Sequence, residues 1–79
     1  MILYVRRKGM STEILKEILA YIDEHIYEKI SLLELAEMAG YSPFYFSKLF
    51  SEIMGMPITG YIRIRKLQYA LGSLLEGRK

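Results

Sequence analysis

Two short helical patterns joined at a glycine constrain this 79-residue chain more than any other feature. Apolar side chains between residues 30 and 55 recur every three or four positions, which is typical of amphipathic helices. The run reads Leu35-Ala36, Ala39-Gly40-Tyr41, Ser42-Pro43, Phe46 and Leu49-Phe50. This spacing predicts a helix-turn-helix, the unit that places its second helix in the major groove of DNA. A plain structural hairpin of two helices is the alternative that the spacing leaves open.

The first helix of the pair has a signal at each end. Ser31 and Glu34 precede an apolar run at capping-box spacing, which predicts reciprocal hydrogen bonds and a helix that begins at Leu32. Gly40 follows the last inward residue and predicts a tight left-handed end. The expected inward face is Leu32, Leu35, Ala36 and Ala39. Ala36 is small enough for the second helix to cross closely over the first.

The second helix is expected to begin at Pro43 and to end at Gly55. The Ser42 hydroxyl can accept a hydrogen bond from a free N–H of the first turn, and proline fits the first helical position. The predicted inward residues are Phe46, Leu49, Phe50 and Ile53, and the predicted outward residues are Phe44, Tyr45, Ser47, Lys48 and Ser51.

A longer amphipathic pattern precedes the pair. It predicts a helix from about Thr12 to Ile26, capped by Ser11 or Thr12. This helix is expected to pack against the helix-turn-helix and to hold it in place. Its apolar stripe is Leu15, Ile18, Leu19, Ile22 and Ile26. Residues 1–10 are expected to form an N-terminal arm or tail, either strand-like or disordered, and residues 11–79 to form the domain.

The last predicted helix carries two apolar stripes instead of one. The first stripe is Ile58, Tyr61, Ile62 and Tyr69, and the second is Ile64, Leu67, Leu71 and Leu74, with Leu75 as a further candidate. One stripe can cover the helix-turn-helix. The second needs another surface, which leaves two interpretations open: a homodimer or domain swap through that stripe, or complete burial of the helix in a compact bundle.

Composition narrows the function classes. The chain has one histidine, no cysteine and no glycine-rich phosphate loop, so we expect no enzyme activity, cofactor or metal site. His25 is expected to have only a surface role near the end of the first helix. The apolar residues 1–5 precede Arg6-Arg7-Lys8, the reverse of a secretory signal, and no run approaches membrane-spanning length. We therefore expect a cytoplasmic protein with no membrane partner.

The net charge is only +2, but its distribution is uneven. The first half is mainly acidic, whereas the second half carries Lys48, Arg63, Arg65, Lys66, Arg78 and Lys79. Basic groups on the second and last helices can lie against phosphates. The alternative is a solvated helix face for Arg63 and Lys66, and an internal pair or aromatic stack for Arg65.

Several segments together resemble the AraC/XylS family of transcription regulators. They are Tyr21-Ile22-Asp23-Glu24-His25-Ile26, Ile30-Ser31-Leu32, Leu35-Ala36, residues 42–50, Gly55, Tyr61-Ile62, Lys66-Leu67 and Ala70. The resemblance runs from about Ile14 to Leu75. Lys66 stands where the family usually has arginine, and Ser73 stands where leucine is typical.

The resemblance implies an all-α fold: a homeodomain-like three-helix helix-turn-helix unit followed by a long linker helix. A complete domain of this family has a second helix-turn-helix unit, which we expect to be absent from residues 11–79. In the family, that unit would be the surface that covers the second stripe of the last helix. An effector-sensing part is expected to follow this chain or to be missing.

The resemblance also implies which side chains approach DNA. The residues expected at base edges are Pro43, Phe44, Ser47 and Lys48, and those expected at phosphates are Ser31, Ser42, Tyr45, Arg63 and Lys66. Lysine suits guanine, and a phenyl ring can contact a thymine methyl group. An aromatic patch for a protein partner is the alternative role of Phe44 and Tyr45.

The predicted function is therefore a sequence-specific DNA-binding module that inserts helix 43–53 into the major groove. Its expected partners are double-stranded DNA and, from the family, RNA polymerase. The alternative from another class is a protein-interaction or dimerisation module that uses the exposed aromatics and the second apolar stripe.

Overall fold

The computed structural model describes residues 10–77 and contains four helices. They are α1 (Thr12–Glu24), α2 (Leu32–Ala39), α3 (Pro43–Met54) and α4 (Ile58–Gly77). Every regular element in the described part of the chain is helical, which confirms the all-α prediction of a three-helix unit and a long helix. Apart from Met10, the predicted N-terminal arm lies outside the described residues, and so do Arg78 and Lys79. Met10 itself is buried in the core.

Helix α1 begins as predicted but ends two residues early. The Ser11 hydroxyl accepts a hydrogen bond from the Ile14 N–H at 3.1 Å, which identifies Ser11 as the cap. The helix ends at Glu24 because His25 leaves the helical conformation, with φ −112° and ψ 26°. Ile26 lies beyond the end but is still buried, since the chain turns inward there.

The cap of α2 forms only half of the predicted capping box. The Ser31 hydroxyl accepts hydrogen bonds from the N–H groups of Leu33 and Glu34. The Glu34 carboxylate does not return to Ser31 among the described contacts; it accepts a hydrogen bond from the Tyr21 hydroxyl at 3.3 Å instead. Partial burial, with the nearby charge of Glu34, raises the pKa of Tyr21, so the hydroxyl stays protonated as a donor. A tertiary partner on α1 replaced the local one.

The turn between α2 and α3 is a Schellman motif. The Gly40 N–H donates to the Glu37 carbonyl and the Tyr41 N–H donates to the Ala36 carbonyl, at 3.1 and 3.0 Å. Gly40 has φ +83°, the left-handed region that favours glycine. Ser42 then caps α3, and Pro43 occupies its first position, as predicted. Gly55 ends α3 with φ +78°.

The core lies where α1, α2 and α3 meet and where α4 begins. Its largest fully buried side chains are Phe46, Phe50, Ile18, Ile22, Leu35 and Ile58. Ala36 is also fully buried, which allows α3 to cross α2 closely. The prediction that Ile53 faces inward is wrong, since its side chain is 41% exposed. In this last turn of α3, Met54 packs against the core in its place.

The two stripes of α4 are separated as predicted. Ile58 is buried, and Tyr61, Ile62 and Tyr69 pack partly buried against the core. The side chains of the second stripe are all exposed: Ile64, Leu67, Leu71 and Leu74. The side chain of Leu75 lies outside the described part of the chain. None of the helices described here has the length and apolarity needed to cross a membrane.

The left-handed glycine of the turn gives a stability prediction. Gly40→Ala should lower the free energy of unfolding by about 1 kcal/mol, because an added Cβ is disfavoured at positive φ while nothing lies within 4 Å to clash with it. Thermal unfolding followed by circular dichroism would then show a midpoint lower by about 5 °C.

Gly72→Ala is the matched control. Gly72 also has open space around it, but it lies inside α4 and has no positive φ. Alanine should raise stability there by about 0.5–1 kcal/mol, because it restricts the unfolded chain and favours helix. A shift of both midpoints in the same direction would contradict the Schellman turn.

Candidate nucleic-acid interface

The first two turns of α3 form an exposed face with no acidic residue in the first turn. Phe44 is 81% exposed, Lys48 is also exposed and Ser47 is half-buried. These three side chains lie on one side of the helix because residues three and four apart are neighbours. With Pro43 at the tip, they form the surface that we call the reading face. All four residues predicted at base edges thus lie together.

The N-terminus of α3 also presents backbone donors. The Ser42 hydroxyl accepts a hydrogen bond from the Tyr45 N–H at 3.2 Å, which satisfies one of the unpaired donors of the first turn. The Ser42 hydroxyl proton remains able to donate outward. The positive end of a helix dipole favours anions such as phosphate, so the end of α3 is electrostatically suited to a DNA backbone.

Tyr45 is held by an aromatic neighbour on the turn. Its ring lies 5.3 Å from the ring of Tyr41, edge to face at 75°. Tyr41 packs partly buried against the core, so the pair fixes the direction of the Tyr45 side chain. Tyr45 nevertheless remains 42% exposed beside the reading face. Sequence reasoning did not include Tyr41 among the site residues, although its spacing of four from Tyr45 is a signal that could have found it.

Ser31 lies at the opposite end of the helix pair, at the start of α2. Its hydroxyl oxygen already accepts the two backbone hydrogen bonds of the α2 cap. Its side chain is half-buried, and the hydroxyl proton is the part that can donate to an outside acceptor.

Arg65 is committed to a contact inside the protein. Its Nε and Nη2 donate to the two carboxylate oxygens of Asp23, at 3.1 and 3.0 Å, and Nη1 donates to Gln68 at 2.7 Å. The guanidinium also lies 5.3 Å from the centre of the Tyr69 ring. The hydrogen bonds that Arg65 donates to the Asp23 carboxylate raise the pKa of Arg65 above its ordinary value, which keeps the guanidinium charged. The structure thus confirms the alternative given for Arg65, an internal pair with an aromatic contact.

Lys66 also makes contacts inside the protein. Its ammonium donates to the backbone carbonyls of Ile26 and Glu28, at 2.6 and 2.9 Å. These carbonyls belong to the corner that follows α1, where backbone acceptors lack helical partners. Two of the three ammonium protons are therefore used to hold α4 against that corner. The third ammonium proton is the one that can donate to a phosphate, and that contact stays a prediction for Lys66.

Arg63 is the basic side chain of this run that faces outward. It is exposed, and among the residues described it has no hydrogen bond or ion pair. Three basic residues within four positions of α4 thus have three different environments: solvent for Arg63, a carboxylate for Arg65 and backbone carbonyls for Lys66.

The histidine and carboxylate side chains of the described residues form no candidate metal site. His25 Nδ1 lies 2.8 Å from a Glu28 carboxylate oxygen, and its ring lies 4.1 Å from that of Tyr21. Within residues 10–77, no group of three or more potential metal-ligating side chains is assembled. His25 is a partly exposed corner residue that packs on α1.

The chain is similar to known proteins over the segment that forms this interface. The model of the family described as "Bacterial regulatory helix-turn-helix proteins, AraC family" matches residues 22–63, which is more than half of the chain. That interval contains α2, α3 and the start of α4.

Individual relatives are similar over a larger part of the chain. The Tn10 TetD protein of Escherichia coli is 34% identical over 68 residues, which cover 86% of this chain and 49% of TetD. The transcriptional activator AarP of Providencia stuartii is 34% identical over 56 residues, 71% of this chain and 42% of AarP. The regulatory protein SoxS of Escherichia coli K12 is 33% identical over 58 residues, 73% of this chain and 54% of SoxS. The chain spans about half the length of these relatives.

The contrast between Lys66 and Arg63 gives a stability prediction. Lys66→Met keeps the aliphatic stem but leaves the Ile26 and Glu28 carbonyls without their donor. The free energy of unfolding should therefore fall by about 1–2 kcal/mol. Arg63→Met, the matched control, should change stability by less than about 0.5 kcal/mol because the side chain is exposed. Urea unfolding of the two variants measures both. Equal stabilities would mean that the Lys66 contacts do not form in solution.

Proposed function

Because the chain belongs to the AraC family of bacterial regulatory helix-turn-helix proteins, we propose that it binds DNA by inserting the N-terminal half of α3 into the major groove. The observation that carries this proposal is the reading face at the start of α3. Its side chains are exposed except for the half-buried Ser47, while the opposite side of the same helix is fixed by buried Phe46 and Phe50. The helix is therefore held rigidly with its polar and aromatic side outward.

The chemistry of the reading face supports modest sequence preference. Lys48 can donate to guanine O6 and N7, Ser47 can hydrogen-bond to several base edges, and the Phe44 ring can contact a thymine methyl group. Pro43 brings the helix tip close to the groove. None of these side chains is a bidentate amide or guanidinium, so each base is distinguished by fewer hydrogen bonds than in strongly specific readers.

The phosphate contacts follow from which groups remain available. Arg63 projects from α4 with no internal partner in the described region, and Ser42 and Tyr45 flank the reading face. Together with the N-terminus of α3, these groups can bind the backbone on the two sides of the groove. Ser31 at the cap of α2 is a further phosphate donor in this proposal. Lys66 contributes by positioning α4.

The wider role that we propose is transcription regulation in the bacterial cytoplasm. AarP is a transcriptional activator by its name, and SoxS is a regulatory protein by its name. A regulator of this kind acts by binding near a promoter, and a contact with RNA polymerase is the partner interaction that we propose for the exposed surface away from DNA. The similarity to these relatives supports the regulatory role.

The phosphate contacts are tested by a salt series. We expect the affinity for a fluorescent mixed-sequence duplex, followed by anisotropy, to fall log-linearly with salt. Lys48→Ala with Arg63→Ala should weaken binding and reduce the slope by at least about one, because the proposed contact of Arg63 with a phosphate releases about one counterion.

The control for this experiment changes the same net charge elsewhere. Lys16→Ala with Lys29→Ala removes two exposed cations from α1 and from the α1–α2 connection. We expect the salt slope to stay within about 0.5 of the unmodified value if the proposed face is correct. Equal slopes for both double variants would mean that α3 and α4 do not touch the backbone as proposed. If the variant with Lys48→Ala and Arg63→Ala loses binding to a protein partner while its salt slope for DNA is unchanged, the protein-interaction alternative is favoured.

Base reading is tested at Phe44. Phe44→Ala should leave the fold intact, because the side chain is 81% exposed, and should relax the preference for thymine at one position of selected sites. The expected loss of discrimination is about 1 kcal/mol at that position, and other positions should not change. Tyr45→Phe is the companion variant, which should weaken binding uniformly across sequences if its hydroxyl contacts phosphate. A uniform effect of Phe44→Ala would contradict its assignment to a base edge.

A further inference from the structure

An apolar face of α4 remains uncovered in the described structure. We call it the outer stripe; its members are Ile64, Leu67, Leu71 and Leu74, exposed by 43%, 58%, 50% and 61%. At 100° per residue, this stripe lies on the side of α4 opposite Ile58, Tyr61 and Tyr69, which face the core. The proposed DNA contacts at the start of α3 do not use these four side chains.

The spacing of the outer stripe is that of a coiled-coil seam. Successive members are three, four and three residues apart, which corresponds to positions a, d, a and d of two heptads. Gln68 and Ala70 flank the seam without a charge, and Arg63 is the charged residue that borders it in the described region. A seam of this kind is complementary to another copy of itself.

Within the described residues, the distal half of α4 has few contacts with the rest of the chain. Tyr69 is still partly buried and meets the Tyr27 ring edge to face at 6.2 Å. Beyond it, every residue from Ala70 to Leu74 is exposed. A helical segment of this length is marginal in water without tertiary contacts, and Gly72 weakens it further. A partner along this segment would supply the tertiary contacts that it lacks within the described residues.

We propose that the outer stripe is a self-association surface, which pairs with the outer stripe of a second copy in antiparallel orientation. A two-fold axis beside residue 69 places Ile64 against Leu74 of the second copy, and Leu67 against Leu71 of the second copy. All four layers of the seam are then filled, and the contact is isologous, as in most closed dimers. The two helix-turn-helix bodies lie on opposite outer sides of the helix pair, because each stripe faces away from its own core.

Charge favours the antiparallel arrangement over the parallel one. Antiparallel pairing opposes the two helix dipoles and brings Arg63 beside the carboxyl-terminal turn of the other α4, where unpaired carbonyls carry negative charge. Parallel pairing aligns the dipoles and places both Arg63 side chains at the same end. Ala70 lies at the edge where the antiparallel helices approach closely, and its small side chain permits that approach.

The exposed area sets the strength of the dimer. Roughly 400 Å² of stripe surface per copy would be covered, on the order of 800 Å² in total, compared with about 1,200–2,000 Å² for a standard stable interface. An interface below the standard size predicts a weak, concentration-dependent interaction.

Sedimentation equilibrium from about 10 µM to 1 mM protein tests the proposal in the absence of DNA. We expect a monomer–dimer equilibrium that Leu67→Ser with Leu71→Ser weakens at least about tenfold. Leu33→Ser with Met38→Ser, the matched control, removes two exposed apolar side chains from α2 and should leave the equilibrium unchanged. Circular dichroism verifies that both variants remain helical. A monomer at every concentration, or a dimer that both variants retain, would overturn the proposal.

Orientation is tested by cross-linking, which the absence of natural cysteine makes simple. A short bis-maleimide should join Ala70→Cys chains to each other but should not join Leu74→Cys chains, which lie about 15 Å apart along the axis of an antiparallel pair. The reverse result would overturn the antiparallel arrangement. Because Arg63 and α3 are unchanged in every variant, failure of this proposal is distinguishable from failure of the proposed DNA binding.

Discussion

The buried ring of Phe50 connects the parts of this domain on which the reading face depends. The centre of this ring lies 6.1 Å from the ring centre of Phe46 within α3 and 5.6 Å from that of Tyr61 in α4. Neither phenylalanine has any exposed surface. The Phe50 side chain thereby connects the inner face of α3 to α4. Since the inner side of α3 is fixed in this way, its outer side has a defined direction, and Phe44 and Lys48 point away from the core.

The polar contacts of α4 have a complementary role, which is to fix the long helix against the end of α1. Arg65 binds Asp23 through two hydrogen bonds, and Lys66 binds the carbonyls of Ile26 and Glu28. A bidentate guanidinium–carboxylate pair restricts orientation more than a single contact does. Arg63 therefore has a defined position relative to α3, although its own side chain is solvated. Packing and polar contacts together place the proposed phosphate and base contacts on one rigid unit.

Local chemistry predicted most helix ends, and non-local contacts account for the errors. The cap at Ser42 and the left-handed turn at Gly40 depend on a few neighbouring residues, so the sequence was sufficient to locate them. Glu34 was predicted to complete a local capping box but binds Tyr21 on α1. Ile53 fits the apolar spacing of α3 but is exposed, because spacing describes a helix face and not the presence of a neighbour to cover it.

The sequence by itself determined the four helical segments, their caps and turns, and the division of α4 into two apolar stripes, because these depend on periodicity and short-range hydrogen bonding. It also placed Pro43, Phe44, Ser47 and Lys48 on one face. Only the tertiary structure decided the roles of the adjacent basic residues of α4. The partners of Lys66 lie 38 and 40 residues away in the chain, and the partner of Arg65 lies 42 away. Such contacts exist only after the core has brought α1 and α4 together, so no local pattern encodes them.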